Sequence, residues 1–438
     1  MTEIKTPDTV VAHPQQKTKP ARFSPEVRRG LLGLGVGNSM EWYDWKVFGL
    51  LSAFIGPSFF PSTDPLSPTL NALAVFAVGF AFRPLGGVLL GTLADRIGRR
   101  RIMLFSIMLM AGTTLIIAVC PTYEQIGPWA GIILLVCRAL QGISTGIEAP
   151  LNTSHAVELA PEGREGYIAG MMGFYVYVGI LLASLVSYFS SLILGGQIMA
   201  DWGWRVPFIV GALFSVVVLY LRRALPETLS PEEKAESSSA VWADVRKRWL
   251  SVVAIMLVAG TAQAYNYAWS VGLPNAARSS FNEDPTAVFA ITTIMGVIMM
   301  VGSWIVGKAA DGRQLSRWFI ATRLLAVPSV FLMLLYVQPG LAGFAFVLLG
   351  GSVVLVLNTT LYNVVSTSLM PKNSRGTGVA LGYGIGVALF GGTASYLLVW
   401  LQSLNLGWLF AVYIASLCLL SVVIYLAAKR KNGVHIGS

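Results

Sequence analysis

The chain has 438 residues and a formal charge of +10, with 55% AVILMFWYC, 45 glycines and 12% charged residues. Mean hydropathy is +0.67. A soluble domain carries about twice that share of charge, so most of this surface must face lipid. That excludes a soluble multi-domain enzyme, a disordered scaffold and a disulfide-stapled secreted domain. It also excludes a nucleic-acid binder, because the excess of Lys and Arg reads as the basic inner loops of a membrane protein.

In chain order, residues 1–29 are polar, with Pro7, Pro14, Pro20 and Pro25. They read as a cytoplasmic tail, since the apolar run that follows is too long for a signal peptide. Twelve apolar runs approach the roughly 20 residues that a crossing helix needs. They are spans 1 to 12: 30–56, 69–91, 102–121, 128–152, 167–194, 204–222, 250–273, 286–307, 317–337, 341–364, 376–402 and 407–428. The runs are continuous rather than alternating, which predicts an all-α membrane protein and not a barrel. The polar stretch 223–249 divides them into six-helix bundles at 30–222 and 250–428, with a cytoplasmic linker between and a tail at 429–438.

The halves repeat each other weakly. Asp95-Arg-Ile-Gly-Arg-Arg-Arg101 after span 2 recurs as Asp311-Gly-Arg-Gln-Leu-Ser-Arg317 after span 8, 216 residues later. Gly203-Trp204 before span 6 recurs as Gly407-Trp408 before span 12. Ordered recurrence at half the chain length points to two pseudo-symmetric bundles. With the N-terminus inside, 26 of the 31 Lys and Arg fall on the inner side, Arg323 among them, and Arg205 and Arg278 on the outer side. Both termini are therefore expected in the cytoplasm.

Charge inside a bilayer is costly and marks function by default. Glu41, Asp44 and Lys46 fall in span 1, Arg83 in span 2, and Arg138 and Glu148 in span 4, with none near mid-span after residue 250. Glu41 and Asp44, three apart, share a helix face; Lys46 points to a different neighbour. At 1.5 Å per residue, Glu41 and Arg83 lie roughly 15 and 12 Å from the inner ends of their helices, so they can meet. The plain alternative is an ion pair that only fixes packing. Span 7 carries Gln263, Tyr265, Asn266, Tyr267 and Trp269; span 10 carries Asn358, Tyr362 and Asn363. These neutral groups suit a polar ligand's second side, or equally interhelical hydrogen bonds. Tyr175, Tyr177 and Tyr383 carry less weight. No phosphate-binding Gly-x4-Gly-Lys-Ser/Thr loop is present, so ATP is not the expected energy source. The scattered histidines form no metal motif.

Gly91-Thr-Leu-Ala-Asp95-Arg-Ile-Gly-Arg-Arg100 resembles the signature loop of the major facilitator superfamily. Gly37-Asn38 with Glu41-Trp-Tyr-Asp44, Phe82-Arg83-Pro84-Leu-Gly-Gly87 and Arg138-Ala-Leu-Gln-Gly142 resemble its metabolite:proton symporter branch. The similarity runs over nearly the whole chain after residue 30. Lys46 and Ile147 depart from the branch, and Gly312 makes the second signature loop degenerate. The resemblance implies a twelve-helix symporter in a bacterial inner membrane, driven by the proton gradient without a cofactor and acting as a monomer. Asp44, Glu41 and Glu148 are then the candidate proton carriers. Arg83, Arg138, Lys46, Asn266, Tyr267, Tyr265, Asn363 and Arg205 are candidates for the substrate. Asp95, Arg96, Arg99 and Arg100 are candidates for a gate.

Three positive groups balance three negative ones. Protonating one carboxyl leaves a net positive charge that favours an anion, and two arginines fit a carboxylate at each end of a ligand. The expected substrate is a small organic acid, a dicarboxylate such as α-ketoglutarate. Carriers of proline or betaine and of citrate- or shikimate-like acids are the alternatives. A membrane enzyme or sensor lacks any nucleophile–base cluster here.

Overall fold

The computed structural model describes residues 25–97, 99–158, 164–223, 238–335 and 339–434. Among them every regular element is a helix. Among the described residues nine helices are long and apolar enough to cross a membrane, and 104–119 and 205–220 are shorter apolar stretches. Those two belong to spans 3 and 6, at Arg99–Val119 and Arg205–Arg223. Arginines at the start of the first and the end of the second shorten the apolar part. Span 1 is helical through its charges, but Glu41, Asp44 and Lys46 break its apolar run. Together these make twelve membrane rods.

Span 1 begins at Pro25, inside the stretch expected to be tail, and runs as Pro25–Leu50 and Ser52–Phe59. Proline is tolerated in a first turn, where its missing N–H has no partner to lose. Span 2 breaks into Ser67–Ala81 and Arg83–Ile97. Pro84 cannot donate to the carbonyl of residue 80, so the bend falls beside Arg83. Spans 4 and 5 are Trp129–Glu158 and Glu165–Ile198.

Span 7 outruns its predicted end. It continues from Trp249–Tyr267 through a wide π-helical turn, Ala268–Gly272, into Leu273–Ser279. The wide turn leaves Pro274 in a first turn again. Span 11 has the same design: Lys372–Gly386, a π-helical turn at Val387–Gly391, then Gly392–Ser403. Such turns interrupt regular hydrogen bonding and often mark functional positions. Spans 8, 9, 10 and 12 are Pro285–Ala310, Leu315–Leu335, Leu341–Thr360 with Tyr362–Ser368, and Gly407–Asn432.

The interval 223–249 is not wholly irregular, because Ser238–Lys247 is a helix. Asp244 in it accepts a hydrogen bond from the Ser374 hydroxyl (2.5 Å) and from Arg248 Nε (3.1 Å). Arg248 also donates to the Asn432 carbonyl at 3.2 Å. This helix, with Arg248 just past it, thereby ties the start of span 11 to the end of span 12. The Ser374 hydroxyl above all, with help from Arg248, holds the Asp244 carboxyl below the usual carboxylate range.

The two halves meet at both ends. At the end where span 1 finishes, Asn275 of span 7 donates to the Gly49 carbonyl (2.7 Å) and accepts from the Ala53 amide (3.0 Å). Ser191 and Thr286 join spans 5 and 8 at 2.9 Å. At the opposite end, where span 1 starts, Asp311, after span 8, accepts from Arg164 Nη1 (3.2 Å) and from the Tyr167 amide (3.1 Å). Asp311 thus sits where the start of span 5 presents amide hydrogens and positive dipole.

Candidate substrate cavity and ion cluster

Close approach of spans 2 and 4 builds the cluster. A Cβ on Gly142 would lie 1.9 Å from the Gly79 carbonyl oxygen, and one on Gly146 2.1 Å from that of Arg83. Glycine at both places lets the helices touch and brings Arg83 and Arg138 against one ring. The Arg83 and Arg138 guanidiniums lie 4.2 and 4.3 Å from the Trp45 ring centroid. Arg138 also lies 4.2 Å from Phe48, and Arg83 4.5 Å from Phe80. Ring faces attract cations by about 0.5–2 kcal/mol, and aromatic walls exclude water.

The two carboxylates are partnered differently. Glu41 Oε1 is 3.8 Å from Arg83 Nη2. Asp44 accepts from the Thr114 hydroxyl at 2.5 Å. Thr114 accepts from Gln141 Nε2 at 2.9 Å, and Gln141 Oε1 accepts from Arg138 Nη1 at 2.7 Å. Asp44 therefore reaches Arg138 through two neutral side chains. Its second oxygen has no hydrogen-bond partner, and neither do Nε and Nη2 of Arg138. Both residues are buried.

Lys46 turns to the other half. It donates to the Ser270 hydroxyl, which donates onward to the Asn266 carbonyl at 2.5 Å. Its ammonium lies 4.3 Å from the Tyr267 ring centroid. Tyr267 stacks on Trp42 at 5.9 Å and packs edge-on against Phe80 at 4.9 Å.

A cavity of about 20 Å³ lies between the halves, room for about one water. Trp42, Val176 and Tyr177 wall one side; Gln263, Asn266, Thr359, Tyr362 and Asn363 wall the other. Gln263 Nε2 donates to the Tyr362 hydroxyl at 2.7 Å, and Asn266 Nδ2 donates to Gln263 Oε1 at 3.3 Å. The side-chain oxygen of Asn266, Oδ1, has no partner, whereas its backbone carbonyl accepts from Ser270. Asn266 and Asn363 therefore line the cavity, whereas Tyr267 forms part of the stack between the halves. Tyr265 lies off the cavity, with its ring edge-on to Trp269 at 4.6 Å. Arg205 is at the first residue of span 6, donating to the Cys120 carbonyl at 2.8 Å and lying over Trp204. Asp95, Arg96, Arg99, Arg100 and Glu148 have helical backbone, and their side chains lie outside the described residues.

One expectation is corrected. The C-terminal bundle does hold an interior charge: Arg323 of span 9 is 0% exposed. Its Nη2 donates to the Val258 carbonyl at 2.5 Å, while Nε and Nη1 have no hydrogen-bond partner. Arg323 thus leaves the inner-loop count. Its position six residues inside the run 317–337 is the signal that identifies it. Gln263, Tyr362 and Tyr177, which the sequence offers for a polar ligand's second side, line the cavity, and so do Trp42 and Thr359, for which the sequence alone suggests no ligand role.

Asp311 gives an expected result. Exposed or partly exposed ion pairs contribute about 0.2–1 kcal/mol, so Asp311→Asn should shift the balance of states by about 1.4- to fivefold toward opening at that end. Spin-label distances between positions 165 and 312 would lengthen. A changed order of competing substrates would refute a purely gating role.

This fold, two bundles with a cavity on their shared seam, defines a membrane transporter, and the profile of the Major Facilitator Superfamily matches residues 34–394. The chain belongs to the Major Facilitator Superfamily. It is 30% identical over 419 residues to the alpha-ketoglutarate permease of Escherichia coli (strain K12), covering 93% of this chain and 96% of that protein. It is equally 30% identical to an ectoine/proline transporter of Corynebacterium glutamicum, over 89% of this chain and 79% of the relative. Among solved structures, a proton:xylose symporter bound to 6-bromo-6-deoxy-D-glucose superposes with TM-score 0.75 at 16% identity, covering 94% of this chain and 97% of that one. The likeness to that structure shows the twelve-helix fold.

Proposed function

We propose that the protein is a proton-coupled symporter importing a small organic acid, a dicarboxylate such as α-ketoglutarate, by alternating access. It works as a monomer in the bacterial inner membrane with both termini cytoplasmic, needing no cofactor beyond the proton gradient. The observation that carries the anion reading is the charge of the bundle interior. Arg83, Arg138, Lys46 and Arg323 are buried there against Glu41 and Asp44. Counting Glu148 as ionised still leaves positive charge in excess. Two guanidiniums with unpartnered N–H groups can each take a carboxylate through paired hydrogen bonds. The similarity to the alpha-ketoglutarate permease supports this choice. Competition is the test: unlabelled dicarboxylate should suppress labelled α-ketoglutarate uptake, and proline and betaine should not.

The cavity favours a second reading. Trp42, Tyr177 and Tyr362 line it, and no charged side chain does. Aromatic walls suit a quaternary ammonium, so a betaine- or proline-like zwitterion is the alternative. Uptake of betaine with dicarboxylates ignored would decide for it.

Orientation has its own test. Reporter fusions at Ser237 and after Lys431 should both report cytoplasm; a periplasmic signal at either would contradict the proposed topology.

A further inference from the structure

Tyr177 of span 5 and Thr359 of span 10 face each other across the cavity, with their hydroxyl oxygens 2.5 Å apart. Thr359 also donates to the Leu355 carbonyl at 2.8 Å. A threonine hydroxyl has one proton. That proton is committed to Leu355, so Tyr177 is the donor and Thr359 the acceptor. The bond joins the N-terminal half to the C-terminal half, and both residues are buried. A cavity of about 20 Å³ cannot admit a ligand of several carbon atoms while this bond holds its wall.

We propose that Tyr177 is a ligand-reading donor that Thr359 occupies in the empty carrier, so that an arriving carboxylate takes over the Tyr177 hydroxyl and releases the cross-half bond. No proton is transferred; one acceptor replaces another. An ionised acceptor makes a hydrogen bond roughly twice as strong as a neutral one, so the exchange runs toward the ligand. Released Thr359 keeps its bond to Leu355, and no buried donor is left without a partner. Ligand recognition and parting of the wall then become the same event. This inference rests on the reading that the ligand carries a carboxylate, which the dicarboxylate and zwitterion readings share.

The two residues should respond with opposite signs. Tyr177→Phe removes the ligand's donor and should weaken binding about 10- to 100-fold, the worth of one hydrogen bond to a charged group. Thr359→Val removes only the competing acceptor and should tighten binding about two- to tenfold. A bond that merely holds the halves together gives both variants the same sign.

The measurement is a titration of the full-length protein in lipid nanodiscs with α-ketoglutarate, citrate, proline and glycine betaine, followed by calorimetry. Melting temperature checks the fold of each variant. Weakened binding in Tyr177→Phe together with tightened binding in Thr359→Val supports the proposal. Shifts of the same sign, or none, overturn it. If Tyr177→Phe does not fold, Thr359→Val decides alone, and unchanged or weaker binding overturns the proposal. Unmodified protein that binds none of the four compounds refutes the carboxylate reading, and the inference falls with it.

Discussion

Replacing Arg138 by Lys should reduce dicarboxylate uptake by about 10- to 100-fold while the protein still inserts and folds. Arg138 holds three aromatic rings and Gln141 at once: Phe48 at 4.2 Å, Trp45 at 4.3 Å, Phe76 at 5.4 Å, and the Gln141 oxygen at 2.7 Å. Its remaining N–H groups are unpartnered, which is the arrangement a carboxylate needs. Lysine keeps the charge but lacks the plane that stacks and the fork that pairs. Losing a hydrogen bond to a charged group costs about 1.5–3 kcal/mol, which is the stated range in rate or affinity. Arg83→Lys should behave alike, with an added effect on Glu41, whose oxygen lies 3.8 Å away. If both arginines only held helices together, each variant would either misfold or transport normally. Uptake by correctly inserted variants, scaled to surface amount, separates these outcomes.

Asp44→Asn should abolish uphill accumulation and leave exchange of pre-loaded substrate largely intact. Glu41 lies beside Arg83, whereas Asp44 accepts from Thr114 on one oxygen and has no hydrogen-bond partner on the other. That second oxygen is where a proton can be carried. The Thr114–Gln141 chain links it to Arg138, so movement of Arg138 toward a ligand would alter the field at Asp44. Intramembrane carboxylates in such relays serve proton movement. Asparagine preserves shape and the acceptor for Thr114 but cannot exchange a proton. Counterflow and gradient-driven uptake, measured on the same vesicles, distinguish the two functions. Full accumulation by the variant would place the coupling proton elsewhere.

The fold was legible because lipid imposes it. Runs of about 20 apolar residues can satisfy their backbone only as helices. Helix ends were less legible. Pro274 and Arg278 look like terminators, yet the wide turn at Ala268–Gly272 carries span 7 on to Ser279. The ion cluster could be approached from sequence, since charge in an apolar run stands out. Arg323 shows the limit of counting loops, because a charge near the inner end of a run can fold inward or snorkel outward. Its burial depends on the Val258 carbonyl of a different helix. The cavity wall was least legible. Thr359 and Tyr177 are ordinary residues in apolar helices, 182 positions apart. Only the packing of one bundle on the other sets them face to face.

Proton-coupled uptake of a carboxylate is tested most directly in proteoliposomes holding a trapped pH dye, with the purified protein and an imposed inward proton gradient. Adding α-ketoglutarate outside should drive its accumulation above the external concentration and acidify the lumen in the same seconds. Collapsing the gradient with a protonophore should stop the accumulation but not exchange. Accumulation of betaine or proline with no response to α-ketoglutarate, or α-ketoglutarate uptake without proton entry, would contradict the account.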